Sequence, residues 1–253
     1  MKELIKDKYP YLPTSVIRMN RSKRVQKLKV DRKGGWGNDK YSANSSRKKK
    51  GNFNLELAEF ILKYYARDSK VIFDPFSGWG ERGYVANKLG YKYIGLDCSK
   101  EAVDYAKEHY DIGTINWNSQ KTEFKYNIFD FCYTCPPYWN LEKYERGNGQ
   151  LSDIKDYQEF LKEITKNIYE TYAILKPGAL CAWVVGDFRI KGKFYDYSTD
   201  LINIFRKVGF ELFDKVIIDK SVNYRISLFM PQADRLGYTV KLHEYLLVFK
   251  KEE

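Results

Sequence analysis

Residues 134–139 read Thr-Cys-Pro-Pro-Tyr-Trp. Two consecutive prolines hold the backbone extended and remove both N–H donors, while their carbonyls remain free to accept. The next residue, Tyr138, is thereby fixed beside a row of acceptors formed by Cys135, Pro136 and Pro137. That arrangement suits one kind of substrate well. The exocyclic amine of adenine or cytosine is a poor nucleophile, because its lone pair is delocalised into the ring. Acceptors aimed at its N–H bonds favour pyramidalisation and free the lone pair for attack on an electrophilic carbon. A planar aromatic can stack on a base taken out of a duplex. No side chain with a tuned pKa is required, since orientation and electrostatics carry the rate. A rigid aromatic turn is the plain structural alternative.

A second cluster lies upstream, where Asp74-Pro75-Phe76-Ser77-Gly78-Trp79-Gly80-Glu81-Arg82-Gly83 contains G-x-G-x-x-G and Asp97 follows about 20 residues on. The glycines alone fit either a dinucleotide or a methyl-donor site. In a dinucleotide fold the strand runs almost directly into the first glycine, so that the pyrophosphate sits on a helix N-terminus. Here Pro75 interrupts the ladder early. An acid at Asp74 suits a cationic group, such as the methionine ammonium of S-adenosylmethionine, better than a diphosphate. Asp97 can accept from ribose hydroxyls in either cofactor.

These clusters need a frame. Asn54 caps an amphipathic helix, NLELAEFILKYY. Strand signals follow at 71–73, 93–97, 114–117, 126–133, 180–185, 215–218 and 245–249, with helices after Gly83, Ser99, Asp156 and Ser198. The alternation predicts an α/β fold, a doubly wound and mostly parallel seven-stranded sheet. Ligands of such sheets sit at the carboxyl ends of the strands, where both clusters fall. Pro177-Gly178 is expected to stop the helix beginning at Asp156. The stretch from Asp219 to Leu242 reads as irregular.

The 253 residues carry a formal net charge of +11, which favours a polyanionic partner. Basic residues concentrate between Arg18 and Lys50, so residues 1–51 are expected to form a basic arm and 52–253 the folded domain. Segments near 140–152 and 219–242 read as insertions able to recognise bases. Four cysteines are too few for a secreted disulfide scaffold. Cys132 and Cys135 form a C-x-x-C without a second Cys/His pair at ligand spacing, so no metal is expected. No apolar run reaches membrane-spanning length, and a cytoplasmic location without membrane contact is expected.

Taken together, the chain resembles the amino-methylating DNA methyltransferases. Their tenth motif is matched by Phe53-Asn54, the first by DPFSGWG, the second by Leu96-Asp97, and the fourth by TCPPYW. The order is similar to the gamma arrangement, and Cys-Pro-Pro-Tyr with Arg82-Gly83 looks closest to small phage-type modification methylases. The resemblance implies S-adenosylmethionine as cofactor, with Phe53, Asn54, Asp74, Phe76, Ser77, Gly78, Gly80, Asp97 and Asn118 around it. It implies Cys135, Pro136, Pro137 and Tyr138 as the catalytic loop and DNA as the partner. Lys48, Lys49, Lys50, Arg82, Arg225 and Arg235 are expected to meet nucleic acid. Cys135 departs from the usual Asp, Asn or Ser, and Asn118 from the frequent Asp after the third strand. An RNA-base methyltransferase, a non-catalytic nucleic-acid-binding protein and a nicotinamide-dependent oxidoreductase are the competing readings.

Overall fold

The computed structural model describes residues 14–18, 53–141, 150–220 and 226–252, with side chains 226–229 excepted. Its strands are β1 (Val16–Arg18), β2 (Val71–Asp74), β3 (Lys92–Asp97), β4 (Thr114–Asn116), β5 (Phe129–Thr134), β6 (Leu175–Val185), β7 (Phe188–Ile190), β8 (Lys193–Tyr195), β9 (Phe210–Asp219) and β10 (His243–Lys251). Between them run helices α1 (Leu55–Tyr65), α2 (Glu81–Lys88), α3 (Lys100–Tyr110), α4 (Tyr157–Ile174), α5 (Tyr197–Val208) and α6 (Ile226–Leu236).

One eight-stranded sheet orders these as β1-β9-β10-β6-β5-β2-β3-β4, and β7 and β8 form a separate hairpin. Neighbours pair in parallel except for β10, which runs antiparallel to both β6 and β9. All seven expected strands are present. The eighth is β1, whose Val16 to Arg18 lie in register with Ile217 to Asp219. This corrects the expected boundary: part of the supposed basic arm adds a strand to the sheet, with Ser15 O accepting from Ile217 N at 2.7 Å. Val-Ile-Arg is too short a run to show a strand period.

Hydrophobic side chains pack on both faces of the sheet. One face carries Phe73, Phe129, Trp183 and Phe249 beneath α4 and α5, with Phe205 of α5 stacked on Phe249, and the other Ile72, Phe131, Val184 and Leu246 beneath α1 and α2. Helix starts follow their caps. Asn54 Oδ1 accepts from Leu57 N at 3.0 Å, and Asp156 Oδ1 from Glu159 N at 2.9 Å; each such cap contributes about 1 kcal/mol. Two readings are corrected here. Pro177-Gly178 does not separate α4 from the next strand, because β6 already begins at Leu175 and passes through both residues. The Asp219–Leu242 stretch holds α6, with Pro231 inside it.

Candidate active site

The carboxyl ends of β2 and β5 lie side by side, with Phe73 in register with Cys132. Asp74 ends β2 and Thr134 ends β5. The Asp74 side chain is fully buried. Its Oδ2 accepts from Arg82 Nε at 2.7 Å and the Tyr93 hydroxyl at 2.8 Å. Its Oδ1 accepts from the Thr134 hydroxyl at 2.6 Å and Phe76 N at 3.1 Å. Arg82 also donates to the Phe76 carbonyl. Burial opposes the guanidinium charge, but the Asp74 carboxylate outweighs it and holds the Arg82 pKa above its ordinary value. Burial and Asp74 likewise push the Tyr93 hydroxyl up.

Two expectations are corrected by this network. Asp74 meets an internal guanidinium instead of the ammonium of a cofactor, and its hydrogen-bonding sites are taken. Arg82, 4% exposed, is turned into the protein and does not reach a phosphate. A buried charge requires such a partner, and a sequence in which acid and base stand eight residues apart does not display the pairing. What the pair does is join the glycine loop to the Cys-Pro-Pro-Tyr loop through one carboxylate.

The glycine loop divides in two. Gly78 has φ +55, and a Cβ built there would meet nothing within 4 Å. Gly80 has φ +95, but a Cβ there would lie 2.7 Å from Ile112 Cδ1 and 2.8 Å from Ala106 Cβ. Its N–H already donates to Ser77 O at 3.2 Å. Gly80 is therefore required for close packing of α2 against α3, a role its expected place on the cofactor did not include. Gly83 is similar, with Tyr93 Cε1 at 2.5 Å from its built Cβ. Open space beside Gly78 and the buried Ser77 hydroxyl, which has no hydrogen-bond partner among the described residues, fit an amino-acid-bearing ligand. Asp97 closes the loop from the next strand: its Oδ2 accepts from Gly78 N at 2.8 Å and its Oδ1 from Ser99 N at 2.9 Å. Burial raises its pKa against those two hydrogen bonds. Each oxygen keeps capacity for a further donor.

In the Cys-Pro-Pro-Tyr loop Pro136 is buried, while Cys135, Pro137 and Tyr138 are half-buried. Cys135 Sγ lies 4.0 Å from the Tyr138 hydroxyl. The Tyr138 ring packs beside Gly186, where a Cβ would come 3.9 Å from it, and edge-on to Tyr197 at 6.4 Å. Trp139 stops the loop with φ +47, a region that costs a non-glycine residue about 1–3 kcal/mol. Its indole N–H donates to Ile154 O at 2.8 Å, and Tyr157 and Tyr195 pack on it. The buried hydroxyls of Tyr133 and Tyr197 have no hydrogen-bond partner among the described residues.

A profile of the N6/N4 DNA methylase family matches residues 4–108 and 129–253. The chain belongs to that DNA methylase family. The orphan methyltransferase M.BamHII of Bacillus amyloliquefaciens is 27% identical over 122 residues, 48% of this chain and 38% of that protein. The type II methyltransferase M2.LlaDCHI of Lactococcus lactis subsp. cremoris is 39% identical over 57 residues, 22% of this chain and 21% of that protein. The chain thus matches 38% and 21% of the lengths of these two relatives. A solved S-adenosylmethionine-dependent methyltransferase from Methanosarcina mazei shares the fold, with TM-score 0.53 and 16% identity over 76% of this chain and 97% of that one.

Within this DNA methylase family member the remaining expected residues have varied surroundings. Phe53 is half-buried, edge-on to Tyr133 at 5.6 Å and 5.0 Å from the Arg82 guanidinium carbon. Asn54 is occupied as a helix cap. Phe76 sits edge-on to Trp183 at 5.9 Å. Asn118 is exposed beyond β4, and its Oδ1 accepts from Gln120 N at 2.9 Å. Arg235 is exposed in the last turn of α6. Lys48, Lys49, Lys50 and Arg225 lie outside the described residues, as does 142–149 of the first expected insertion. Sequence reasoning missed Tyr93, Thr134 and Tyr197. Thr134 adjoins the Pro-Pro motif and could have been found as a hydroxyl at a strand end; the two tyrosines carry no local signal.

Proposed function

We propose that this protein transfers a methyl group from S-adenosylmethionine to the exocyclic amine of a base in DNA, cytosine N4 or adenine N6. The observation that carries the reading is the joining of the glycine loop and the Cys-Pro-Pro-Tyr loop at adjacent strand ends by the hydrogen bond from Thr134 to Asp74. When bound, S-adenosylmethionine supplies an electrophilic sulfonium methyl. Asp97 accepts from the ribose hydroxyls, while Ser77 and the open backbone at Gly78 take the methionine end. Tyr138 stacks on the base, and the Pro136 carbonyl and Cys135 accept hydrogen bonds from the amine. Held in this way, the nitrogen lone pair would be directed at the methyl group that the cofactor supplies. DNA as the target is in keeping with the DNA methyltransferases among its relatives. Among the described residues no helix is long and apolar enough to cross a membrane; a cytoplasmic location belongs to the same reading.

The test is product analysis. Purified protein, isotopically labelled S-adenosylmethionine and mixed-sequence duplex DNA are expected to yield labelled 4-methylcytosine or 6-methyladenine on digestion to nucleosides. Tyr138→Ala should remove about 1–3 kcal/mol of stacking and add misorientation, so that transfer falls by roughly tenfold to a hundredfold. Cofactor affinity by calorimetry should remain at the wild-type value. Label appearing in RNA and not in DNA would overturn the choice of substrate.

A further inference from the structure

The β7–β8 hairpin lies outside every segment that sequence reasoning assigned to nucleic acid. It starts three residues after β6 ends, at Phe188. Because Thr134 is in register with Trp183, the hairpin leaves the sheet at the same edge as the Cys-Pro-Pro-Tyr loop. Cross-strand pairs are Phe188 with Tyr195, Arg189 with Phe194, and Ile190 with Lys193. Successive side chains point to opposite faces, so Phe188 and Tyr195 share one face and Arg189 and Phe194 the other.

The first face is bolted to the catalytic loop. Trp139 lies 5.1 Å from Tyr195 and 6.4 Å from Phe188, and Tyr157 lies 4.8 Å from Tyr195, centroid to centroid. The opposite face carries a tier of cations on aromatic rings. The Arg189 guanidinium is 5.0 Å from the Phe194 ring and 4.7 Å from Tyr238, and Lys241 Nζ is 4.7 Å from Phe194. The tip is Lys191-Gly192, both at positive φ, and Arg189 Nη1 donates to Gly192 O at 3.2 Å. Residues 188–195 contain Arg189, Lys191 and Lys193 and no acid. All three cations are exposed.

We infer that this hairpin is a phosphate-contacting arm that holds the DNA backbone flanking the target base. The inference rests on the DNA-methylation reading and adds to it the element that positions the duplex. Cations at the tip of a hairpin anchored through Trp139 are fixed relative to Tyr138, so a phosphate held there sets where the base enters. Contacts of this kind fix register and orientation, and their charge complements a polyanion.

The test compares wild type with Lys191→Gln/Lys193→Gln, two exposed positions that leave the Phe188, Trp139 and Tyr157 contacts in place. Lys193 Nζ lies 5.0 Å from the Tyr195 ring, so urea unfolding is run alongside and is expected to match wild type. As a control, Lys176→Gln removes a charge from the opposite edge of the sheet. Binding to a short duplex is measured across salt concentrations. The double variant is expected to flatten the slope of log affinity against log salt by about 1.8, near 0.9 for each phosphate no longer neutralised. Its KM for DNA should rise on the order of tenfold at physiological salt, with kcat at saturating DNA and cofactor affinity unchanged. A wild-type slope in the double variant, an equal flattening by Lys176→Gln, or an effect on RNA alone would overturn the assignment. Failure of the wild-type protein to methylate DNA would instead overturn the underlying reading, and the slope would still decide the hairpin.

Discussion

The two edges of the sheet handle buried polar groups in opposite ways. At the amino ends of the central strands two charged side chains have their partners supplied from within. Lys251 Nζ donates to Asn127 Oδ1, Tyr172 O and Leu175 O at 3.0, 2.7 and 2.8 Å. Asp130 accepts from Lys70 N, Val71 N and Lys176 Nζ at 2.9, 2.8 and 2.6 Å. At the carboxyl ends one fully buried ion pair is saturated, yet around it the Ser77, Tyr133 and Tyr197 hydroxyls have no hydrogen-bond partner among the described residues. Buried polar atoms in folded proteins are nearly always hydrogen-bonded. Three such hydroxyls beside the glycine and Cys-Pro-Pro-Tyr loops support a polar ligand there, while Lys251 and Asp130 at the other edge tie strands and helices together.

Breaking the Arg82–Asp74 pair tests that contrast hardest. Arg82→Ala leaves the Asp74 carboxylate buried without a counter-ion, and the expected loss is about 3–5 kcal/mol in urea unfolding. Because Asp74 also holds Thr134, methyl transfer should fall further than the unfolded fraction accounts for. Arg82→Lys keeps the charge without the planar fork and should restore stability more than activity. Wild-type stability in Arg82→Ala would remove the pair from the account of the fold.

A smaller effect separates ligand binding from folding. Asp97→Ala should weaken S-adenosylmethionine binding by about 1.5–3 kcal/mol, the worth of hydrogen bonds to a charged acceptor. Burial raises the Asp97 pKa, so the folded state favours the neutral acid. Stability from this group is therefore greatest at low pH and falls as pH rises through the raised folded value. Cofactor affinity has the opposite sense, since the carboxylate is the better acceptor, and should decline as pH falls through that value. Asp97→Asn should abolish this pH dependence; a dependence that survives in it belongs to another group.

Much of the frame was legible because its signals are local. The caps at Asn54 and Ser99, the strand ending at Asp97 and the Pro-Pro loop each declare themselves within a few residues. The role of Asp74 was not legible, since its partners Arg82, Tyr93 and Thr134 converge only when three strands and a helix are assembled. Gly80 reads as part of a ligand-binding motif, although Ala106 and Ile112, distant in sequence, are what exclude a side chain there. The β7–β8 hairpin was hidden for a different reason. Its arms have three residues each, and its Lys191-Gly192 turn lacks the Asn-Gly or Asp-Gly signature.

The least effect is expected at the amino-end edge, where Lys176 pairs with Asp130 at 2.6 Å and is 48% exposed. Partial burial works against the Asp130 charge, but hydrogen bonds from Lys176, Lys70 N and Val71 N together hold its pKa below the ordinary carboxylate value. A depressed acid contributes stability that is present above its unfolded pKa and lost as pH falls through the folded one. Lys176→Ala removes one of three donors and leaves both backbone N–H groups in place. Solvent screens the lysine, so the loss at neutral pH should stay within about 1 kcal/mol. Unfolding in urea at about pH 7 and about pH 3 checks this: the difference between variant and wild type should shrink at the lower pH as Asp130 takes up its proton. A loss as large as that of Arg82→Ala would mean that the two edges are equally dependent on charge, and the contrast between them would fail.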